Sequence, residues 1–329
     1  IGVLLLLLML GLEYTSDELK VGLRTGLVPG AVDAGLNFTP GFVAGLLLGW
    51  ELPAAILLGG VTWISSSGVI SKVLTDLGRL GYREPPSVLN LLVSEDLAMA
   101  VYLPVVAALV VGGSAASTVT SVVVALTAVV VVLWGAMRWG HHVSDRLARG
   151  NDEAILLAVF GLTLLVGGLA QRLQISAAVG AFVVGLALSG TAQERASGLI
   201  EPLRDLFAAL FFLFFAFQIP TEDLPAALLP AAAGLAVSGL AKVTTGGVVA
   251  GRAGAATRGR LRAGPVLVAR GEFSIVIASL GVGLADGSDL GALAAAYVLL
   301  MAVLGSLLVR FERLPRFLDR SARSAAVIA

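Results

Sequence analysis

The 329-residue sequence contains no cysteine, two histidines and only 13% charged residues. The missing cysteine excludes disulfides, thiolate metal sites and cysteine nucleophiles. The two histidines, His141 and His142, are adjacent, so a histidine-rich metal centre is also excluded. A soluble domain carries about 25% charged residues to cover its core; this chain cannot do so, and neither a soluble globule nor a disordered tail fits. Its 22 basic and 22 acidic residues cancel, leaving no net field to attract nucleic acid or another anionic partner. What the chain does have is apolar sequence: 57% of its residues are hydrophobic, arranged in long runs. The class is an all-α polytopic membrane protein.

A helix needs about 20 mostly apolar residues to cross about 30 Å of hydrocarbon. Apolar segments fall at about 1–12, 25–50, 52–73, 88–111, 117–137, 152–173, 175–190, 203–219, 224–251, 264–284 and 290–309. The runs are continuous rather than alternating, which excludes barrel strands. The first opens on GVLLLLLMLG with neither a start methionine nor a basic leader, so it does not read as a secretory signal. It is too short to span, and it reads as the end of a helix whose upstream sequence is missing.

Lysine and arginine near membrane ends stay cytoplasmic. With Lys20 and Arg24 inside, alternation places Arg79/Arg83, Arg138/Arg146/Arg149, Arg195/Arg204, Arg252/Arg258/Arg260/Arg262 and the tail arginines on that same side, 18 of the 22 basic residues. The opposite loops hold Arg172 and the acids Glu51, Glu222, Asp223, Asp286 and Asp289. The C-terminus is therefore expected in the cytoplasm. Lys72, Lys242 and Arg270 fall inside spans.

An ionisable group in the bilayer core costs at least a few kcal/mol and is a functional candidate by default. In VSEDLAMAVYLP, Glu95 and Asp96 lie about 10–12 Å into their span. Adjacent carboxylates in a low dielectric repel, so the pair either holds a proton or needs a cation close by. The alternative is a hydrated pair near the interface. Lys242, in VSGLAKVTTGGVVAG, lies deep in its segment among small residues that permit close helix packing. A buried carboxylate, Glu95 or Asp96, would explain it, as would a lysine snorkelling to the cytoplasmic edge. Arg270 and Glu272, in VARGEFSIVIASLG, surround a glycine inside an apolar run. That pattern fits a helix broken in mid-membrane, whose ends carry partial charges for these side chains to neutralise; a salt bridge at the cytoplasmic mouth is the other reading.

GGVTWISSSGVISK offers a matching break. Thr62 and Ser65 to Ser67 supply hydroxyls and Gly59, Gly60 and Gly68 loosen the helix. Hydroxyls and unwound carbonyls are hard oxygen ligands suited to Na⁺ or K⁺, although serine in a membrane helix also serves packing. Two interrupted helices in corresponding positions of two halves point to an inverted-repeat secondary transporter. Asp33, in a Pro- and Gly-broken stretch, and Glu13, at the end of the first apolar run, read as residues of hydrated edges. His141 and His142 read as a cytoplasmic loop, able to tune activity near neutral pH or simply solvated.

The stretches LLLLMLGLEYTSDELK, GVTWISSSGVISKVLTDLG, VLNLLVSEDLAMAVYLP, QRLQISAAVGAFVVGLALSG, PLRDLFAALFFLFFAFQIP, GLAKVTTG and ARGEFSIVIASLG, taken in order, resemble the second branch of the cation:proton antiporter superfamily, which includes potassium-efflux systems. The resemblance covers essentially the whole chain. It implies an inverted-repeat antiporter fold with two crossed discontinuous helices and a mobile core set against a dimerisation scaffold. On that pattern 1–24 begins a truncated scaffold part, 25–111 is one core half, 112–223 holds linker and scaffold helices, 224–309 is the second core half and 310–329 is a cytoplasmic tail. It further implies that Asp96 is the main ion- and proton-binding carboxylate, that Lys242 pairs with Glu95, and that Thr62, Ser65 and Ser66 belong to one broken helix and Arg270 and Glu272 to the other. Exchange of H⁺ for K⁺ or Na⁺ without a cofactor follows, in the cell (inner) membrane, with a homodimer and a cytoplasmic nucleotide- or cation-sensing domain or subunit as expected partners. The rivals are a sodium-coupled organic-anion symporter of the same architecture, a gated cation channel and an intramembrane hydrolase. The hydrolase is disfavoured because no histidine lies in a span to activate a serine.

Overall fold

A computed structural model describes residues 1–12, 16–79, 81–82, 84–111, 149–172, 177–217, 219, 222 and 224–310, together with scattered positions between 119 and 144. Among these residues all regular structure is helical. The helices are α1 (Gly2–Leu12), α2 (Ser16–Leu47), α3 (Leu52–Trp63), α4 (Ser67–Asp76), α5 (Pro85–Val111), α6 (Asp152–Arg172), α7 (Ala177–Ala187), α8 (Gly190–Phe217), α9 (Leu224–Arg252), α10 (Thr257–Val266), α11 (Glu272–Ser279) and α12 (Gly287–Arg310). Five described helical stretches are long and apolar enough to cross a membrane, α3 and α4 counting as one.

Local chemistry sets several ends. Asn151 accepts from the Ala154 amide at 2.9 Å, Asp152 and Glu153 fill the first turn of α6, and Arg172 fills its last; each charge complements the helix dipole. The third span is interrupted over 64–66. Ile64 turns extended, and the Ser66 hydroxyl then accepts from the Val69 amide to start α4. The tenth is interrupted over 267–271, so both expected breaks are present.

Three helices start earlier than the hydropathy reading placed them. α2 begins at Ser16 and contains both Pro29 and Pro40, α8 begins at Gly190, and α10 begins at Thr257 among arginines read as loop. Proline is tolerated inside a membrane helix because neighbouring groups satisfy the freed carbonyls, so Pro29 does not end α2.

The helices pack in two groups. α2, α3, α4, α5, α9, α10, α11 and α12 contact one another, and α1, α6, α7 and α8 do likewise. α1 lies close on α7: a Cβ on Gly185 would stand 2.8 Å from the Gly11 Cα, the small-residue contact that lets membrane helices approach. The groups meet where α5 touches α7 and along a seam between α1, α8 and the first turns of α4 and α11.

Candidate functional site at the crossing of two broken helices

Each broken helix leaves carbonyls without intrahelical partners, and here the two breaks satisfy one another. The Ser66 amide donates to the Ala269 carbonyl at 3.0 Å, the Ser274 hydroxyl to the Val61 carbonyl at 3.0 Å and the Ser65 hydroxyl to the Leu267 carbonyl at 3.3 Å. Arg270, completely buried, ties both together. Its Nη1 donates to the carbonyls of Leu267 at 3.0 Å and Val268 at 3.4 Å, and its Nη2 to the Thr62 carbonyl at 2.8 Å and the Ser238 hydroxyl at 3.2 Å. The guanidinium therefore sits on the negative C-terminal ends of α3 and α10. Ser238 also hydrogen-bonds the Tyr297 hydroxyl. Glu272 occupies the first turn of α11, at that helix's positive end, and is half-buried.

Beside the crossing lies a cluster of buried charges. Lys242 of α9 is 0% exposed, Asp33 of α2 0%, and Glu95 and Asp96 of α5 1% each. The Lys242 Nζ donates to Glu95 Oε1 at 2.9 Å and to both Asp33 oxygens, at 2.8 and 3.0 Å. Glu95 also accepts from the Ser65 amide at 2.6 Å, and its Oε1, at 3.2 Å, shares the single Ser65 hydroxyl proton with the Leu267 carbonyl, so the first break is hydrogen-bonded directly to the acidic helix. Among the hydroxyls singled out in the sequence, Thr62 donates to the carbonyls of Asn37 at 2.9 Å and Gly59 at 3.1 Å, while Ser66 caps α4.

Asp33 is the correction. Its Pro- and Gly-broken surroundings predict a hydrated edge, but α2 runs unbroken through Pro29 and Pro40 and carries it into the charge cluster. It accepts from Trp63 Nε1 at 3.0 Å and from Asn37 Nδ2 at 2.9 Å as well as from Lys242. Asn37 Nδ2 in turn reaches the Thr245 hydroxyl at 3.3 Å, while Asn37 Oδ1 is buried without a hydrogen-bond partner. The signal available in the sequence was spacing: Asp33 and Asn37 lie four residues apart, one turn on the same face, within an otherwise uncharged stretch. Glu13, His141, His142 and the 311–329 tail lie outside the described residues.

Two cavities approach the crossing. One, of about 410 Å³, opens on the seam and is lined by Arg204 and Asp205 of α8 and by Ser67 and Glu272 at the broken ends. The other, about 460 Å³ and mainly apolar, lies between α2, α3, α9 and α12 and reaches Thr62, Ser238 and Tyr297. Neither is lined by Asp33, Glu95, Asp96 or Lys242, so the charge cluster is closed off from both. Lys242 thus faces two carboxylates, Asp33 and Glu95, with Asp96 buried at the next position of α5; a buried carboxylate is stabilised by a proton or by a small cation.

The family model described as sodium/hydrogen exchanger, transmembrane, matches residues 1–311. The chain is 32% identical over 323 residues to a K⁺/H⁺ antiporter subunit, KhtU, of Bacillus subtilis, covering 97% of this chain and 80% of that protein. It is 32% identical over 318 residues to an ammonium/H⁺ antiporter subunit, AmhT, of Alkalihalophilus pseudofirmus, covering 94% and 80% respectively. The solved sodium proton antiporter MjNhaP1 of Methanocaldococcus jannaschii superposes with a TM-score of 0.68 at 17% identity, over 94% of this chain and 81% of that one, a likeness of fold. Crossed broken helices, a family match over nearly the whole chain and relatives at this identity agree: the chain belongs to the sodium/hydrogen exchanger transmembrane family.

Proposed function

We propose that this protein is a secondary transporter that exchanges a monovalent cation, K⁺ or Na⁺, for H⁺ by alternating access. The observation that carries the reading is the enclosed cluster of Glu95, Asp96 and Lys242 against the crossing of two broken helices. Asp96 binds either a proton or the cation; one carboxylate cannot hold both, and that competition is enough for exchange. Glu95 accepts from Lys242 and Ser65, which positions it beside Asp96. Thr62, Ser65 and Ser66 supply oxygens along the path, Arg270 keeps the two breaks together, and Glu272 stands at the inner end of the seam cavity, where it draws cations toward the site.

In this reading 25–111 and 224–309 move as a core against the remainder, which carries the dimer contact. α6 and α8 present Leu157, Leu165, Phe214 and Phe217 outward, faces suited to lipid and to a second copy. The arginine-rich face is cytoplasmic, the seam cavity is the inner vestibule, and the tail at 310–329 leads toward a regulatory nucleotide- or cation-sensing domain or subunit. The protein resides in the cell (inner) membrane and performs no covalent chemistry. The EDLAMAVYLP form and the K⁺/H⁺ relative favour K⁺, while the ammonium relative is consistent with a site that accepts several monovalent ions.

The test is proton flux in proteoliposomes loaded with a pH dye, with K⁺, Na⁺ or Li⁺ added outside. Cation-dependent proton flux is expected from the wild type, and its loss in Asp96→Asn. Intact flux in that variant would sink the assignment of Asp96.

A further inference from the structure

Lys242 has two anionic partners on different elements, and only one of them adjoins Asp96. Glu95 comes from α5, beside Asp96; Asp33 comes from α2 and takes the ammonium with both oxygens. Asp33 accepts four hydrogen bonds, two from Lys242 and one each from Trp63 and Asn37. All four bonds come from N–H donors, and the three residues that supply them stand on α2, α3 and α9. Asn37 of α2 and Trp63 of α3 bond the Asp33 partner, Ser65 at the first break bonds the Glu95 partner, and Thr245 of α9 bonds Asn37; Asp96 follows Glu95 on the acidic helix. A cation arriving at Asp96 can therefore draw the Glu95 carboxylate toward itself while the Lys242–Asp33 pair remains whole.

We infer that Asp33 is the standing counter-ion of Lys242, a positioning residue that keeps the ammonium charged throughout the cycle and fixes exchange at one proton per monovalent cation. The inference rests on the exchange reading above. Its charge balance is simple: Asp96 releases one proton when one cation binds, Lys242 keeps its own proton, and the core carries equal charge in both directions. Were Glu95 the sole partner, a cation drawing it away would strand the ammonium in a low dielectric, where giving up the proton is cheaper than remaining unpaired. Two protons would then return per cation and the cycle would be driven by voltage.

The experiment is a null-point measurement in proteoliposomes, with equal thiocyanate on both sides to hold the voltage at zero. For one-to-one exchange a tenfold cation gradient is balanced by a pH difference of about one unit, and for two protons by about half a unit. The wild type is expected to balance at about one unit, Asp33→Asn to move toward half a unit, and Asp33→Glu to return to one. A wild-type balance at half a unit overturns the inference and leaves exchange standing, as does an Asp33→Asn protein with unchanged balance point and cation KM. Wild-type vesicles with no cation-dependent proton flux overturn the exchange reading and this inference together. If Asp33→Asn does not fold, the wild-type null point and Asp33→Glu decide.

Discussion

Removing the Lys242 ammonium would leave Asp33 and Glu95 facing one another without a cation between them. Breaking a buried ion pair in this way costs about 3–5 kcal/mol, because the remaining charge cannot reach water. Lys242→Met is therefore expected to lower the detergent melting temperature markedly. Adding Asp33→Asn and Glu95→Gln should recover most of the loss, since a wholly neutral cluster strands nothing. A Lys242→Met protein that melts with the wild type would contradict the geometry of the cluster. A second expectation concerns pH. If H⁺ and the cation compete for Asp96, raising the pH frees the carboxylate and lowers the cation KM; lowering it raises KM with little change in the maximal rate. KM measured across a pH series checks the sign, and a KM independent of pH would exclude competition at one site. At this scale the sequence was most legible where charge interrupts an apolar run. Glu95, Asp96, Lys242 and Arg270 stood out for that reason. Asp33 did not, because its neighbours Pro29, Gly30 and Gly35 imitate a loop, and only the packing of α2 against α9 shows it to be interior.

The two broken helices act as one joint. Gly271 sits where a Cβ would collide with Ser66, whose own Cβ would stand only 2.7 Å away. Gly271→Ala is expected to force the breaks apart at a cost of about 1–3 kcal/mol, and Ser66→Gly should restore part of the stability by removing the obstacle. A double-mutant cycle on melting temperature reads this coupling directly; additive effects would mean that the two positions do not meet. Both breaks could be anticipated from ISSSG and ARGEF, since small and charged residues in a membrane run loosen a helix. Their mutual hydrogen bonds could not, because Thr62 and Arg270 are 208 residues apart and no local pattern records such a pairing.

For the whole molecule, the division into two groups of helices predicts relative motion along the seam. The absence of cysteine makes this testable on an unmodified background. Met9 of α1 and Phe273 of α11 line the seam cavity from opposite groups. Met9→Cys combined with Phe273→Cys, bridged by a reducible bifunctional thiol reagent, is expected to stop exchange, and reduction to restore it. Undiminished flux in the bridged protein would argue that the groups do not slide on one another.

The separation of the charged partners along the chain also bears on biosynthesis. Lys242 follows Asp33 by 209 residues and Glu95 by 147, so both acids are synthesised and offered to the bilayer long before their counter-charge exists. Until α9 arrives, the early helices must keep these carboxylates protonated or near the lipid headgroups, since a bare charge at the bilayer centre costs at least a few kcal/mol. A nascent chain halted before α9 should therefore remain sensitive to quality-control proteases, and the arrival of one lysine would mark the point at which the first-made half can complete its insertion.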